Sequence, residues 1–210
     1  MKNNERTKTR KNEILDIAER LFMERGYENT TINNILSVSG IAKGSLYYHY
    51  KSKEDVLDGI IGRITEQIVV AAKTIADDTT LSAHEKMLRI IPSVSISDSP
   101  NEKMIQELHR PSNALLHQKS IAQTIHAVAP IIADVVKQGI KEGAYCVPYP
   151  LETTEILLVA GQFIFDEGVF QWTANEMAAR MTALVRVTEV ALGAKPGSFQ
   201  FLAGGHLDGK

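Results

Sequence analysis

Cysteine is almost missing from this chain: Cys146 is the only one in 210 residues. That excludes an internal disulfide and any metal site built from several thiolates. Long apolar runs are missing as well. The longest, Ile156–Phe165, is interrupted by Gln162 and falls short of the roughly 18 residues a membrane span needs. The segment Met1 to Lys11 is polar and charged, without the apolar core of a signal peptide. A soluble, cytoplasmic protein with no membrane partner is therefore expected. Catalytic signatures are scarce too. The histidines His49, His84, His109, His117, His126 and His206 include no i, i+4 pair and no HExxH pattern. Neither GxSxG, a Walker-type loop nor the Rossmann glycine pattern occurs. Asp166 and Glu167 are adjacent, so on a helix they point to different faces and make a poor acid/base pair. No catalytic residue, metal or cofactor is expected. Cys146, in a proline-rich stretch, reads as an inert thiol sooner than as a redox sensor.

What is present is ordinary in amount and informative in placement. Apolar residues make up 44% and charged residues 23%, enough for one core or for a small head on a larger body. Residues 1–53 hold ten Lys/Arg against six acids, and the remainder holds thirteen against nineteen. A basic head on an acidic body suits a chain that meets a polyanion at one end, although an asymmetry this mild also arises by chance.

Apolar residues recur at helical spacing, and no run alternates as a strand would. Ile14, Ile17, Ala18, Leu21 and Phe22 form a first stripe, stopped by Gly26. Thr30-Thr31 offers caps for Ile32 to Val38, Ser39-Gly40 breaks that segment, and Lys43–Tyr50 resumes it. Ser52 with Asp55 starts a long helix through about Ala76. Further helices are predicted over 81–91, 101–108, 112–143, 151–171 and 174–192, with a break or kink at Pro130. The tail, residues 194–210, with four glycines and one proline, reads as a loose fringe. The fold class is all-α: a three-helix head over 1–53, a helical regulatory and dimerisation body over 54–193, and the tail.

Residues 31–50 have the layout of a helix-turn-helix, in which a short helix is held at a fixed angle so that it enters the DNA major groove. Gly40 can take a positive φ in the turn and Ile41 can plug the angle. In the second helix Leu46 and Tyr50 face inward, while Gly44, Ser45, Tyr48 and His49 share the outer face. Lys43 and Lys53 place cations beside a phosphate backbone. Simpler readings stand beside these. Tyr47 and Tyr50 could be core aromatics, and for Tyr50 that is the stronger reading. His49 and Lys53 could be plain surface groups, and Thr31 is a helix cap in either case.

The string Gly26-Tyr27, Thr30-Thr31-Ile32, Ile35, Gly40-Ile41, Lys43-Gly44-Ser45-Leu46-Tyr47-Tyr48-His49-Tyr50, Lys53-Glu54 and Leu57 resembles the DNA-binding head of tetracycline-repressor (TetR) family regulators. The rest of the chain resembles that family only in length and helical content. The resemblance implies that Thr31 and Tyr47 contact phosphates. It also implies that Lys43, Ser45, Tyr48 and His49 lie at or near the bases, and that Lys53 holds the backbone. Two positions depart from the pattern. Ala42 stands where a capping serine is common, and Ser39 replaces a small alanine; both bear on how the second helix is angled.

The last two long helices are apolar over a wide arc, which requires burial on two sides. The second side could be another subunit or a central core. The resemblance favours a homodimer through these helices, with Phe163, Phe170, Met177, Met181, Leu184 and Thr188 as interface candidates. His109, His117, Phe163 and Trp172 could line a cavity for an unidentified small-molecule ligand, or could be core and surface residues. The function expected is a ligand-responsive repressor that binds a palindromic site on double-stranded DNA as a dimer. The alternatives are a structural or nucleoid-associated DNA binder with a protein partner and no small-molecule ligand, or an enzyme carrying the motif as an appendage.

Overall fold

A computed structural model of the chain describes residues 2–94, 109 and 113–203, apart from the side chains of 2–8 and 94. Every regular element among these residues is helical: α1 (Lys2–Arg25), α2 (Ile32–Ser39), α3 (Lys43–His49), α4 (Lys53–Ala76), α5 (Ala83–Val94), α6 (Ala114–Lys141), α7 (Pro150–Ile164) and α8 (Ala174–Leu192). A 3₁₀ turn at Gln200–Ala203 follows. The helix expected over 101–108 lies outside the described residues. None of the described helices is long and apolar enough to cross a membrane. The chain divides into two compact units, residues 1–64 with 97–120 and residues 65–96 with 121–210.

In the first unit α1 buries the stripe Ile14, Leu15, Ala18, Leu21 and Phe22, and the core is completed by Ile35, Leu46, Val56, Leu57 and Ile60. The chain leaves α1 through Gly26, whose amide donates to the Phe22 carbonyl at 2.9 Å. Buried Thr30 returns its hydroxyl to the Gly26 carbonyl at 2.9 Å, so the end of α1 is satisfied by a side chain. Across the unit, the Arg63 guanidinium bridges Asp16 and Glu19, tying α4 to α1.

The second unit is built on Met87, Ile90, Val128, Ile132, Val136, Val185 and Leu192. Lys86 is buried there, with its ammonium donating to the Ala76 carbonyl and to Gln138 Oε1, each at 2.7 Å. A lysine at that place caps the C-terminal end of α4, where carbonyls lack helical partners.

Three expectations are corrected here. No break occurs at Pro130, which sits inside an uninterrupted α6. Pro130 and His126 are both exposed, so the carbonyl that loses its amide partner lies on the side where water can serve it. The helix predicted over 151–171 stops at Ile164. Asp166 turns the chain there: its carboxylate accepts from the Gly168 amide at 2.8 Å and its carbonyl from Phe170 at 2.8 Å. The Trp172 indole then donates to the Ile164 carbonyl at 2.8 Å. Finally, the described part of the expected flexible tail, residues 194–203, is folded, and residues 204–210 lie outside the described residues. Phe199 is completely buried, with its ring against His84 and Tyr145 and its amide donating to Glu189 Oε1 at 3.2 Å. One aromatic ring removed from water outweighs the freedom of the surrounding glycines.

Candidate nucleic-acid interface

Residues 31–50 fold as two short helices joined by a tight turn. Thr31 caps α2: its hydroxyl accepts from the Asn34 amide at 3.2 Å and donates to Asn34 Oδ1 at 2.8 Å. Asn34 answers by accepting from the Thr31 amide at 2.9 Å, which closes a reciprocal box. Gly40 takes the turn at φ 62°, a value that side-chain-bearing residues rarely adopt. Ser39 stiffens the turn, because its hydroxyl donates to the Leu36 carbonyl at 3.1 Å and accepts from the Ile41 amide at 3.2 Å. Ile41 is buried at the angle.

α3 has no side-chain cap at Ala42 and is only seven residues long. An isolated helix of that length is unstable, so its order comes from packing. Leu46 and Tyr50 supply it, both buried. Tyr50 presses its ring on Gly59 of α4, where an added Cβ would lie 2.9 Å from the Tyr50 ring. The opposite face of α3 is open: Tyr48 is 80% exposed and Tyr47 41%, with Lys43 and Gly44 exposed beside them. Ser45 and His49 are half-buried. The Lys43 ammonium stands 5.9 Å from the Tyr47 ring and the Tyr48 ring meets His49 edge to face at 5.0 Å. Nothing within 4 Å would meet a Cβ at Gly44. The exposed face therefore carries one cation, two phenols, one imidazole and an open backbone segment, the inventory needed to touch phosphates and base edges.

Two of the expected contact residues are already engaged inside the protein. Lys53 donates to the Tyr27 carbonyl at 3.0 Å and lies 3.9 Å from the Tyr27 ring centroid. It thus pins the loop after α1 to the start of α4, a role that no sequence signal announced. The neighbouring Glu54 carboxyl is held below its ordinary range, chiefly by its own backbone amide and helped by Ser52, Tyr27 and Lys53. The Thr31 hydroxyl proton goes to Asn34, so a phosphate contact by Thr31 requires that proton to be redirected. Lys11 lay outside the expected set, and its ammonium stands 5.9 Å from the Tyr50 ring.

Tyr50 yields a test of the packing that orients α3. Among the described residues its buried hydroxyl finds no hydrogen-bond partner. Burial pushes its pKa up to about 12, opposed in part by Arg63. A folded-state pKa above the unfolded one means stability is fully present below about 10 and is lost as pH climbs towards about 12. Tyr50→Phe is expected to be neutral or stabilising by about 1 kcal/mol at pH 7. It should also lessen the loss of stability between about pH 10 and 12, as read by denaturant unfolding. A variant clearly destabilised at pH 7 would show that the hydroxyl is needed. Some alkaline loss should persist, since burial and Glu142 raise Tyr145 as well.

In the second unit the apolar surface falls partly elsewhere than expected. α7 exposes Ile156, Val159 and Phe163, and α8 exposes Val187 and Val190. Phe163 was expected; the other four were not. Thr188 is buried, while Leu184 is half-buried, with a Cβ at Gly161 of α7 lying 3.5 Å from its side chain. Met177, Met181 and Phe170 are half-buried. Phe170 meets Phe163 edge to face at 5.8 Å and stacks on Trp172 at 5.0 Å, with the Arg180 guanidinium 3.2 Å from the Trp172 ring centroid. In the first unit, His109 and His117 meet edge to face at 4.8 Å. A cleft of about 140 Å³ in the second unit is lined by Lys73, Asp77, Ile131, Asp134 and Gln138 among others. That is smaller and more polar than a site for a drug-sized ligand.

The profile of a family described as bacterial regulatory proteins of the tetR family matches residues 14–60. One described as a tetracyclin repressor-like C-terminal domain matches residues 96–187. The HTH-type transcriptional repressor KstR2 of Rhodococcus jostii is 50% identical over 52 residues, covering 25% of this chain and 26% of that protein. KstR2 of Mycobacterium tuberculosis is 35% identical, and the match spans 36% of its length. The chain thus spans about a quarter to a third of the curated relatives it matches first. The fatty acid metabolism regulator protein of Bacillus subtilis is 28% identical over 182 residues, 82% of this chain and 88% of that protein. Among solved structures, a TetR-family regulator from Pectobacterium atrosepticum superposes with a TM-score of 0.64 at 18% identity, covering 89% of this chain and 94% of that one.

Proposed function

We infer the action of this protein from the fact that it belongs to the tetracycline-repressor (TetR) family of transcriptional regulators. It is a sequence-specific DNA-binding protein that represses transcription as a homodimer and responds to a small molecule. The observation that carries this reading is the open face of α3. Its buried side is fixed by Leu46 and Tyr50, and its outer side offers Lys43, Gly44, Tyr47 and Tyr48 to a duplex. In this reading Lys43 and Tyr47 hold phosphates, Gly44 lets the backbone approach, and Ser45, Tyr48 and His49 read base edges. Lys53 acts by positioning, through Tyr27. Thr31 contacts a phosphate once its proton leaves Asn34.

The exposed Ile156, Val159, Phe163, Val187 and Val190 support pairing of two copies through α7 and α8. Two heads about 34 Å apart, one turn of duplex, then read a near-palindromic site. A ligand that binds better to the spacing unable to fit DNA shifts the population and releases the site. The repressor names of the relatives and the match of the C-terminal profile favour this reading over a structural DNA binder without a ligand.

Selection from a pool of random duplexes tests it. The expected result is a two-fold-symmetric sequence bound in the nanomolar range, with affinity falling steeply as salt rises. A pool that enriches no sequence would defeat the reading.

A further inference from the structure

The family profile begins at residue 14, yet α1 begins at Lys2. The preceding segment, residues 2–13, contains no apolar residue, and Thr9, Arg10, Lys11, Asn12 and Glu13 are all exposed. Twelve helical residues extend about 18 Å. A helix that is polar on every side buries no apolar face, and what holds this one is local, such as the pairing of Arg10 with Glu13 at 2.7 Å.

Its charge is distinctive. Residues 2–11 hold five cations, Lys2, Arg6, Lys8, Arg10 and Lys11, against Glu5 alone. Residues 12–53 hold five cations, Arg20, Arg25, Lys43, Lys51 and Lys53, against five acids, Glu13, Asp16, Glu19, Glu24 and Glu28. The whole positive surplus of the head therefore lies in the extension. One of the five remaining cations, Arg20, lies four residues from both Asp16 and Glu24 on the outer side of α1, so its charge is offset by theirs.

Position adds a second, independent observation. Lys11 precedes Ile14 by three residues and Leu15 by four, so it continues the buried stripe of α1. The face that is apolar against the head becomes cationic at Lys11, and there the ammonium stands 5.9 Å from the ring of Tyr50, the residue that ends α3. The extension thus leaves the head beside the end of the recognition helix.

We propose that residues 2–11 form a second DNA-contacting element, a basic helical extension that binds the phosphate backbone flanking the base pairs read by α3 and supplies most of the electrostatic affinity of the head. This rests on the DNA-binding reading above. Absence of an apolar face sets it apart from a helix that would lie in a lipid surface.

The test uses the full chain, a duplex recovered by the selection, and a second duplex of arbitrary sequence. R6Q/K8Q/R10Q/K11Q removes four cations while keeping good helix formers. The expected result is a 10- to 100-fold weaker Kd on both duplexes near 150 mM salt, with a salt slope shallower by about 2 to 3, because each neutralised phosphate contributes roughly 0.9. The ratio of the two affinities should change little, since phosphates carry no sequence. Lys8→Arg with Lys11→Arg should keep the slope. An unchanged slope and Kd in the glutamine variant, with wild type still binding its selected site, would overturn the proposal and leave the DNA-binding reading intact. So would an unchanged slope together with lost binding to vesicles of anionic lipid. Failure of wild type to bind either duplex defeats the underlying reading instead.

Discussion

Val159→Asp combined with Phe163→Asp is expected to yield a monomer whose affinity for the selected duplex is about a thousandfold weaker than wild type, the scale lost when two linked contacts become one. Both side chains are about half exposed on α7, at 49% and 47%, so the carboxylates can stay in water in the isolated chain. Their cost arises when two copies meet. In the proposed seam each charge would be buried among apolar side chains, and an unpaired buried charge costs several kcal/mol. Val187 and Val190 are exposed on α8, and if the proposed pairing uses both helices, Val190→Asp should act alike. Sedimentation equilibrium reads the association state, and a mobility-shift titration reads the affinity. If the double variant stayed dimeric at micromolar concentration, the pairing surface would have to lie elsewhere. Thermal unfolding serves as a control on the fold, because loss of a partner lowers the apparent Tm in a concentration-dependent way.

Gly44→Leu should separate stability from recognition more cleanly than any other single change. Glycine inside a helix costs about 0.5–1 kcal/mol relative to alanine. Here nothing inside the protein requires it, since a Cβ at that position meets no atom within 4 Å. On the proposed DNA-binding reading, the space is kept for a groove that approaches the backbone of α3. Gly44→Ala is therefore expected to raise the midpoint of unfolding. Gly44→Leu should leave the fold at least as stable while weakening the selected duplex about 100-fold, as its side chain fills the space meant for DNA. Unchanged binding by Gly44→Leu would mean that α3 does not enter a groove at this turn.

Much of the architecture was legible before any coordinates. Helical periodicity together with Gly26 and Gly40 placed the end of α1 and both ends of α2 within a residue of those observed, and periodicity alone placed α8, but the start of α1 at Lys2 lies twelve residues before the stripe that announced it. The inward pair Leu46 and Tyr50 followed from their spacing alone. What escaped was whatever depended on partners distant in sequence. Lys53 reads as a free cation until Tyr27, 26 residues away, is seen to accept its proton. Phe199 sits among glycines and a proline, and only the space beside His84 and Tyr145 explains its burial. The apolar run through Phe170 hid the turn at Asp166, although Asp166-Glu167-Gly168 carried a local signal for one. On α8, apolar residues cover so wide an arc that periodicity could not tell which side was outward. Thr188 and Val185 are buried, Leu184 is half-buried, and Val187 and Val190 face out.

The seven residues of α3 acquire their order from Leu46 and Tyr50, which are already withdrawn from water before any duplex arrives. Docking then proceeds without coupled folding of the reading element, so association should carry only a modest negative heat capacity change, set by the surfaces that meet. Encounter rates should accordingly be governed by diffusion and long-range attraction, with no slow ordering step between first contact and the final complex.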